Sequence, residues 1–162
     1  MSSRTAGTPP RQIPRFIAVE GPIGAGKTTL ARRLAASFGH ELVLELADEN
    51  PFLESFYRER ARNALATQLF FLIQRVRQLD AIRQADLFQN SRVTDFLIEK
   101  DRLFARLNLD ANELALYETV FERLVPSTPR PDLVIYLQAP VDVLIERIQR
   151  RGIAAEQLVE RK

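Results

Sequence analysis

A glycine-rich stretch that ends in a lysine and a threonine lies near the start of the chain. Residues 21–28 read GPIGAGKT, a full match to the phosphate-loop pattern G-x-x-x-x-G-K-[ST]. Such glycines permit positive φ angles, so that backbone N–H groups can approach phosphate oxygens. Lys27 supplies a point charge for β and γ phosphates, and the Thr28 hydroxyl can ligate Mg²⁺. We predict a nucleoside triphosphate site formed by Gly21, Pro22, Ile23, Gly24, Ala25, Gly26, Lys27, Thr28 and Thr29.

The elements on both sides of this loop fit the same interpretation. Residues 16–19 (FIAV) form a short apolar run with β-branched residues, which is typical of a buried strand. The periodic TLARRLAASF that follows predicts a helix to Phe38, ended by Gly39, whose positive end faces the phosphates. An ordinary glycine-rich turn would explain the glycines but not Lys27 and Thr28 at this spacing.

Composition limits the class of protein. The 162 residues are 46% hydrophobic, enough for one globular domain, predicted over 15–162 after a Ser/Thr/Pro/Gly/Arg-rich flexible leader at 1–14. The 23 Lys and Arg residues nearly balance 21 Asp and Glu, which argues against a nucleic-acid surface. The absence of cysteine excludes disulfides and thiolate metal sites and fits a cytoplasmic protein. No apolar run reaches the ~18 residues of a membrane span.

Strand and helix patterns alternate along the chain. Strand patterns follow at 41–45, 92–97 and 132–137, and helical patterns at 52–88 (with breaks), 99–107, 112–124 and 141–151. Such alternation predicts an α/β fold with a parallel sheet and helices on both faces.

Glu45 ends the predicted second strand, at the edge of a parallel sheet where active groups gather. A carboxylate there could accept the proton of an attacking hydroxyl, although a solvated strand-end glutamate is the plain alternative. The chain has no Asn-Lys-x-Asp base reader of a GTPase, and its strongest later strand ends in Leu137-Gln138 rather than in an acid, as a motor would require. These observations favour a small-molecule kinase.

Six stretches in order make the interpretation specific: IAVEGPIGAGKTTLA, ELADENPFLESFY, ATQLFFLIQRVRQL, TDFLIEKDRLFA, PDLVIYLQAP and RIQRRG. The chain resembles the deoxynucleoside kinase family, especially its bacterial deoxyadenosine/deoxyguanosine kinase branch. The resemblance implies a P-loop kinase fold, ATP with Mg²⁺, phosphorylation of a deoxynucleoside 5′-hydroxyl in nucleotide salvage, and a homodimer. It also makes Glu45 the catalytic carboxylate, although the family's following proline is Leu46 here.

The resemblance assigns further roles. Gln68 and Asp101 would read the base, Tyr57 and Glu156 would hold the sugar 3′-hydroxyl, and Arg75 would lie near base and acceptor. The alternatives are a helix-surface amide for Gln68, ring packing for Tyr57, and a local Asp101–Arg102 ion pair. Gln68 and Asp101 fit purines, but a pyrimidine could use the same amide. The chain's phenylalanines are assigned mostly to the core, with some left for the base slot: Phe52, Phe56, Phe70, Phe71 and Phe104.

Three departures from the family stand out. The family has an acid-Arg-Ser/Thr motif after the third strand, and the matching residues here are Asp95-Phe96-Leu97. Asp95 can still position Mg²⁺. The arginine is absent, and Arg102 is a candidate substitute for it. Arg147 and Arg151 match two lid arginines that clamp the transferring phosphoryl group, whereas a third lid position is Ile153. Family members continue past the lid, which suggests a short variant or a missing C-terminal edge.

Two other functions remain open from the sequence. A nucleoside-monophosphate kinase such as thymidylate kinase shares the phosphate loop, but the acidic ELADEN stretch at 45–50 suits a neutral acceptor better than a phosphorylated one. A nucleotide-binding module without turnover would fit the absent arginine and the short C-terminus. For the homodimer, the predicted helices at 61–88 and 112–124 are candidates to pair.

Overall fold

A computed structural model describes residues 13–85 and 91–152. Residues 1–12, most of the predicted leader, lie outside that range, as do 86–90, Ile153 and Glu156. Four strands alternate with six helices and two short 3₁₀ turns in this part of the chain. In order they are β1 (Phe16–Glu20), α1 (Lys27–Phe38), β2 (Glu41–Val43), a 3₁₀ turn (Ala47–Glu49), α2 (Leu53–Arg58), α3 (Arg60–Ala85), β3 (Arg92–Thr94), α4 (Glu99–Asn108), α5 (Ala111–Leu124), a 3₁₀ turn (Val125–Ser127), β4 (Leu133–Tyr136) and α6 (Val141–Arg151).

The four strands form one sheet in the order β2-β3-β1-β4, and every neighbouring pair is parallel. Ile17 pairs with Val93 on one side and with Leu133 on the other, which places β1 inside the sheet. Parallel neighbours need crossover connections, and the helices between the strands supply them. All four strands therefore end at the same edge of the sheet. None of the helices in the described ranges is both long and apolar enough to cross a membrane.

Alternate residues of β1 serve two different cores. Ile17 and Val19 pack with Ala31 and Ala35 of α1 on one face of the sheet. Phe16, on the opposite face, packs against a larger cluster that α3, α4 and α5 build. A strand buried on both faces reads as a continuous apolar run, as residues 16–19 do. The predicted α/β fold with helices on both faces of a parallel sheet is confirmed.

Three strands are shorter than predicted: β4 lacks one residue at each end of 132–137, and β2 and β3 lack more at their carboxyl ends. The pattern predicted strands at 41–45 and 92–97, whereas β2 ends at Val43 and β3 at Thr94. Beyond those residues the backbone leaves the sheet for side-chain partners: the Leu44 carbonyl accepts a hydrogen bond from Gln78, and the Glu45 N–H donates to Asp95. The backbone therefore separates from the sheet at the edge where the candidate site residues lie.

Helix ends follow local signals closely. Gly39 and Gly152, with φ of 66° and 69°, end α1 and α6 at the residues expected from the sequence. The Asp110 side chain accepts the N–H groups of Asn112 and Glu113 in a capping box, which starts α5 at Ala111. Local chemistry is enough to fix these ends.

The assignment of phenylalanines to the core is largely wrong. Of the five considered, only Phe56 is buried, whereas Phe52 and Phe104 are exposed. Phe52 instead stands edge-on to Phe70, and Phe104 lies under the ammonium group of Lys100. Aromatic residues at helix spacing thus lie at the surface of the fold as well as in its interior.

The close approach of Gly21 to the Leu137 backbone leads to a first prediction. A Cβ at this position, where φ is 151°, would lie 2.6 Å from the Leu137 carbonyl oxygen, so Gly21→Ala forces two backbone segments apart. Gly39→Ala is the matched control, because φ there is also positive but, beyond its immediate chain neighbours, no atom lies within 4 Å of the added Cβ. We expect Gly39→Ala to cost about 1–2 kcal/mol from backbone strain alone. Gly21→Ala should lower the melting temperature at least twice as far; equal losses would contradict the close approach.

Candidate active site

The phosphate loop follows β1 and runs directly into α1. Gly24 and Gly26 have φ of 79° and 96°, and the Ala25 N–H donates to the Pro22 carbonyl at 3.1 Å, which closes a tight turn. A Cβ on Gly24 would meet the Leu144 carbonyl oxygen at 2.9 Å, so α6 packs directly on the loop. The predicted positive φ angles are therefore present at these glycines, as at Gly21.

Lys27 lies over the loop. Its ammonium group donates to the Gly21 and Pro22 carbonyls at 2.9 and 3.2 Å. The pKa of Lys27 is lowered mainly by burial of the side chain, and the positive charge of Lys100 lowers it further. The Lys27 ammonium is therefore only partly solvated, which strengthens its attraction for an anion such as a phosphate.

Asp95 joins the loop to the segment after β2. One carboxylate oxygen accepts the Thr28 hydroxyl at 2.5 Å, and the other accepts the Glu45 backbone N–H at 2.7 Å. Asp95 is buried, and both donors compensate for part of its desolvation. The structure thus brings the predicted metal ligands Thr28 and Asp95 together and places Glu45 beside them.

A chain of charges extends from Glu45 into the protein. The Arg75 guanidinium forms ion pairs with Glu45 through one terminal nitrogen and with Asp101 through the other. The Asp101 side chain is 1% exposed, and the ring of Phe71 lies 5.1 Å from the guanidinium carbon. Asp101 is thus paired with Arg75, so the alternative of a local Asp101–Arg102 pair is wrong. A fork-shaped guanidinium holds both carboxylates in fixed positions.

The other predicted acceptor residues lie on α2 and α3. Gln68 is buried two helical turns before Arg75, so the alternative of a helix-surface amide is wrong. The ring of Tyr57 stands edge-on to Phe56, with centroids 5.7 Å apart. Asn50 ties this region together, since its side chain donates to the Thr67 carbonyl at 3.2 Å and accepts the Phe52 N–H at 3.0 Å.

The arginines of α4 and α6 differ in direction. Arg102 donates to Glu118 of α5 at 2.6 Å, away from the phosphate loop, so it does not replace the absent family arginine. Arg147 points toward the loop, with one terminal nitrogen 3.5 Å from the Gly24 carbonyl oxygen. Arg151 is exposed at the end of α6.

Sequence reasoning missed two charged residues at the loop. The buried Glu20 ends β1 and accepts the Gly21 N–H at 2.6 Å. Lys100, in the first turn of α4, donates to Glu20 at 2.5 Å and to the Gly21 carbonyl at 3.0 Å. The Glu20–Lys100 pair joins residues 80 positions apart, and no local pattern indicates such a pairing.

The donors around Thr28 suit a small hard cation. A hydroxyl and a carboxylate are oxygen ligands of the type that Mg²⁺ prefers, and Mg²⁺ usually takes only one or two carboxylates beside phosphates and water. No cluster of three or more His, Cys, Asp or Glu side chains with metal-ligand geometry occurs within 13–85 and 91–152. The chemistry of Thr28 and Asp95 therefore fits Mg²⁺ carried in with a nucleotide.

Comparison with protein-family models matches the deoxynucleoside kinase model over residues 17–162. The chain belongs to the deoxynucleoside kinase family. Membership confirms the resemblance inferred from the six sequence stretches, and it makes the chain a kinase of the ATP-dependent phosphotransferase type.

Relatives within this family are similar over most of the chain. The deoxyguanosine kinase of Bacillus subtilis (strain 168) is 36% identical over 146 residues, which cover 90% of this chain and 70% of that protein. The deoxyadenosine kinase of Lactobacillus acidophilus is 34% identical over 154 residues, with coverage of 89% and 70%. A solved structure of deoxyadenosine kinase from M. mycoides with bound dATP superposes with a TM-score of 0.76 at 28% identity, covering 90% of this chain and 76% of that one. The P-loop kinase fold is thereby confirmed.

The pairing of Arg75 with two carboxylates leads to a prediction about stability. Arg75→Met leaves two carboxylates without their cation, one of them almost fully buried, and we expect a loss of about 3 kcal/mol in the free energy of unfolding. Urea denaturation measures it. Arg77→Met, an exposed arginine of the same helix, should stay within about 0.5 kcal/mol of the wild type.

A double variant isolates the charge pair in this prediction. Asp101→Asn combined with Arg75→Met removes the buried negative charge, so it should regain part of the stability that Arg75→Met loses. Independent, additive losses from the two substitutions would show that Arg75 does not stabilise Asp101.

Proposed function

We propose that residues 15–162 form one domain that transfers the γ-phosphoryl group of ATP to the 5′-hydroxyl of a purine deoxynucleoside, deoxyadenosine or deoxyguanosine. The observation that carries this proposal is the double contact of Asp95, which joins Thr28 of the phosphate loop to Glu45. A donor site and a candidate base are thus held side by side. The relatives named as deoxyguanosine and deoxyadenosine kinases support the purine acceptor.

On the donor side, the loop from Gly21 to Thr29 binds the ATP phosphates. Lys27 supplies a charge over the loop, Arg147 lies 3.5 Å from the Gly24 carbonyl oxygen, and Arg151 joins them as a lid residue at the end of α6. Thr28 and Asp95 hold Mg²⁺, which neutralises phosphate charge when it is bound. The dATP bound to the M. mycoides relative supports a purine nucleoside triphosphate as a ligand of this fold.

On the acceptor side, Glu45 takes the proton of the 5′-hydroxyl. Its ion pair with Arg75 fixes the carboxylate in position without removing its second oxygen from use. The attacking oxygen forms the new bond to the γ-phosphorus, the bond to the β–γ bridging oxygen breaks, and ADP leaves.

The base is read by Gln68 with Arg75 and Asp101. A second oxygen of Asp101 and the Nε of Arg75 are buried and have no hydrogen-bond partner among the described residues. Buried polar atoms of this kind suit the donor and acceptor groups of a base edge. Tyr57 holds the 3′-hydroxyl, and Glu156, which lies outside the described residues, is proposed for the same role on sequence grounds alone.

The assembly and the location of the protein stay proposals as well. A homodimer is supported by exposed leucines on the neighbouring helices α4 and α5, namely Leu103, Leu107 and Leu116. The sequence made α3 and α5 the candidates to pair between chains, but both helices contribute to one core within this chain. The absence of cysteine supports the proposed cytoplasmic location. The near balance of basic and acidic residues supports the proposal that the protein has no nucleic-acid partner.

Glu45 and Gln68 should fail in different ways. Glu45→Gln keeps the shape and an acceptor for Arg75 but removes the base, so kcat should fall about 100-fold or more with little change in KM. Gln68→Ala removes ground-state recognition, so KM for deoxyguanosine should rise about tenfold and base preference should weaken. Steady-state kinetics with a panel of purine and pyrimidine deoxynucleosides measures both; equal effects on KM would contradict this division of roles.

The acceptor should be a nucleoside and not its monophosphate. Glu45 and Asp101 face one guanidinium, so this group of three has a net negative charge, and Asp48 and Glu49 lie close by in the chain. Two unit charges at ~4 Å interact by about 4 kcal/mol at an effective dielectric near 20. We therefore expect kcat/KM for deoxyadenosine or deoxyguanosine to exceed that for its monophosphate, or for dTMP, by about 100-fold or more. A monophosphate used equally well would favour the nucleoside-monophosphate kinase alternative.

A further inference from the structure

Lys100 places a second ammonium group at the phosphate loop. It lies in the first turn of α4, and its side chain crosses to the end of β1, where it donates to Glu20 at 2.5 Å and to the Gly21 carbonyl at 3.0 Å. The other two basic residues of α4 point elsewhere: Arg102 and Arg106 both face Glu118 of α5. Among the basic side chains of α4, only that of Lys100 reaches the loop.

Lys100 and Lys27 share one acceptor. The Gly21 carbonyl oxygen accepts both ammonium groups, at 3.0 and 2.9 Å. The two cations are therefore close, and the charge of Lys100 contributes to the lowered pKa of Lys27. The Glu20 carboxylate pairs directly with Lys100, and the negative charges of Glu20, Glu45 and Asp95 partly offset the effect of burial and of Lys100 on the pKa of Lys27. Two ammonium groups at one carbonyl oxygen repel each other, and an anion bound between them would relieve that repulsion.

We propose that Lys100 is a second phosphate-binding lysine, which contacts the γ-phosphoryl group of ATP beside Lys27. This inference rests on the proposed kinase function. Lysine carries three N–H donors, and the contacts to Glu20 and Gly21 use two of them within the described residues. The third can bind a phosphoryl oxygen in exchange for the weaker contact of the ammonium group with the Phe104 ring, while Glu20 keeps the side chain in place. The Lys100 side chain remains 21% exposed, so a ligand can reach it.

The chemistry of transfer favours a charge at this point. As the γ-phosphorus leaves the β–γ bridging oxygen for the 5′-oxygen, negative charge spreads over its three equatorial oxygens. A fixed ammonium group beside them stabilises the transition state and needs no rearrangement to do so. A purely structural role is the competing explanation, because Glu20 is buried and needs a cation.

The test begins with Lys100→Met. We expect kcat for deoxyguanosine to fall about 100-fold, with Lys100→Arg regaining about tenfold because it keeps the charge. Arg106→Met, which removes an exposed charge of the same helix, is the matched control and should stay within about threefold of the wild type. Activity of Lys100→Met within threefold of the wild type would overturn the proposal.

Equilibrium binding separates this inference from the proposed function. A calorimetric titration with ADP and with a non-hydrolysable β,γ-imido analogue of ATP requires no acceptor. Lys100→Met should weaken binding of the analogue about tenfold and leave binding of ADP within about threefold, since only the analogue has a γ-phosphoryl group. Equal weakening of both ligands would overturn the γ-phosphoryl contact. If the wild type phosphorylated no deoxynucleoside, the proposed function would fail, and the titration would still decide the role of Lys100.

A double variant decides between catalysis and charge balance. Glu20→Gln combined with Lys100→Met removes both partners of the ion pair, so it should recover any melting temperature that Lys100→Met loses. Its kcat and its affinity for the ATP analogue should stay as low as those of Lys100→Met. Recovery of wild-type kcat in the double variant would show that Lys100 only neutralises Glu20.

Discussion

A single buried carboxylate connects the two halves of the site. Asp95 follows β3, which lies between β2 and β1 in the sheet, so that each of its oxygens reaches a different neighbour. One accepts the Thr28 hydroxyl and the other the Glu45 N–H. A buried carboxylate is stable only with donors of this kind, which means that the requirement to solvate Asp95 also fixes the distance from the phosphate loop to Glu45.

Two further charge groups lie around this centre. Arg75 of α3 pairs with Glu45 and Asp101, and Lys100 of α4 pairs with Glu20. Each group ties a helix of the large core to the end of a strand or to the segment just beyond it. Desolvated ion pairs are seldom a net gain over apolar packing, so their concentration at one edge of the sheet is better explained by the site than by stability.

Local patterns in the sequence were sufficient for much of the fold. The helices α1 and α6 end at the glycines that the sequence indicated, because a positive φ is nearly free for glycine. The patterns were insufficient at the end of β2, because Leu44 and Glu45 continue the residue pattern of a strand. Their backbone groups bind Gln78 and Asp95 instead, and these partners lie 34 and 50 residues away in the chain.

The sequence by itself determined the phosphate loop, the parallel α/β fold and the family, since each rests on residue types at short fixed spacings. Only the tertiary structure decided which charges meet. Arg102 looked like a substitute for an absent arginine and instead faces Glu118, whereas Lys100, two residues earlier, reaches the loop. The physical reason is that each residue of a helix is rotated by about 100° from the one before it, so residues two positions apart lie on nearly opposite sides of the helix. Which of them faces a ligand depends on how the helix packs, and that packing is decided by the whole core.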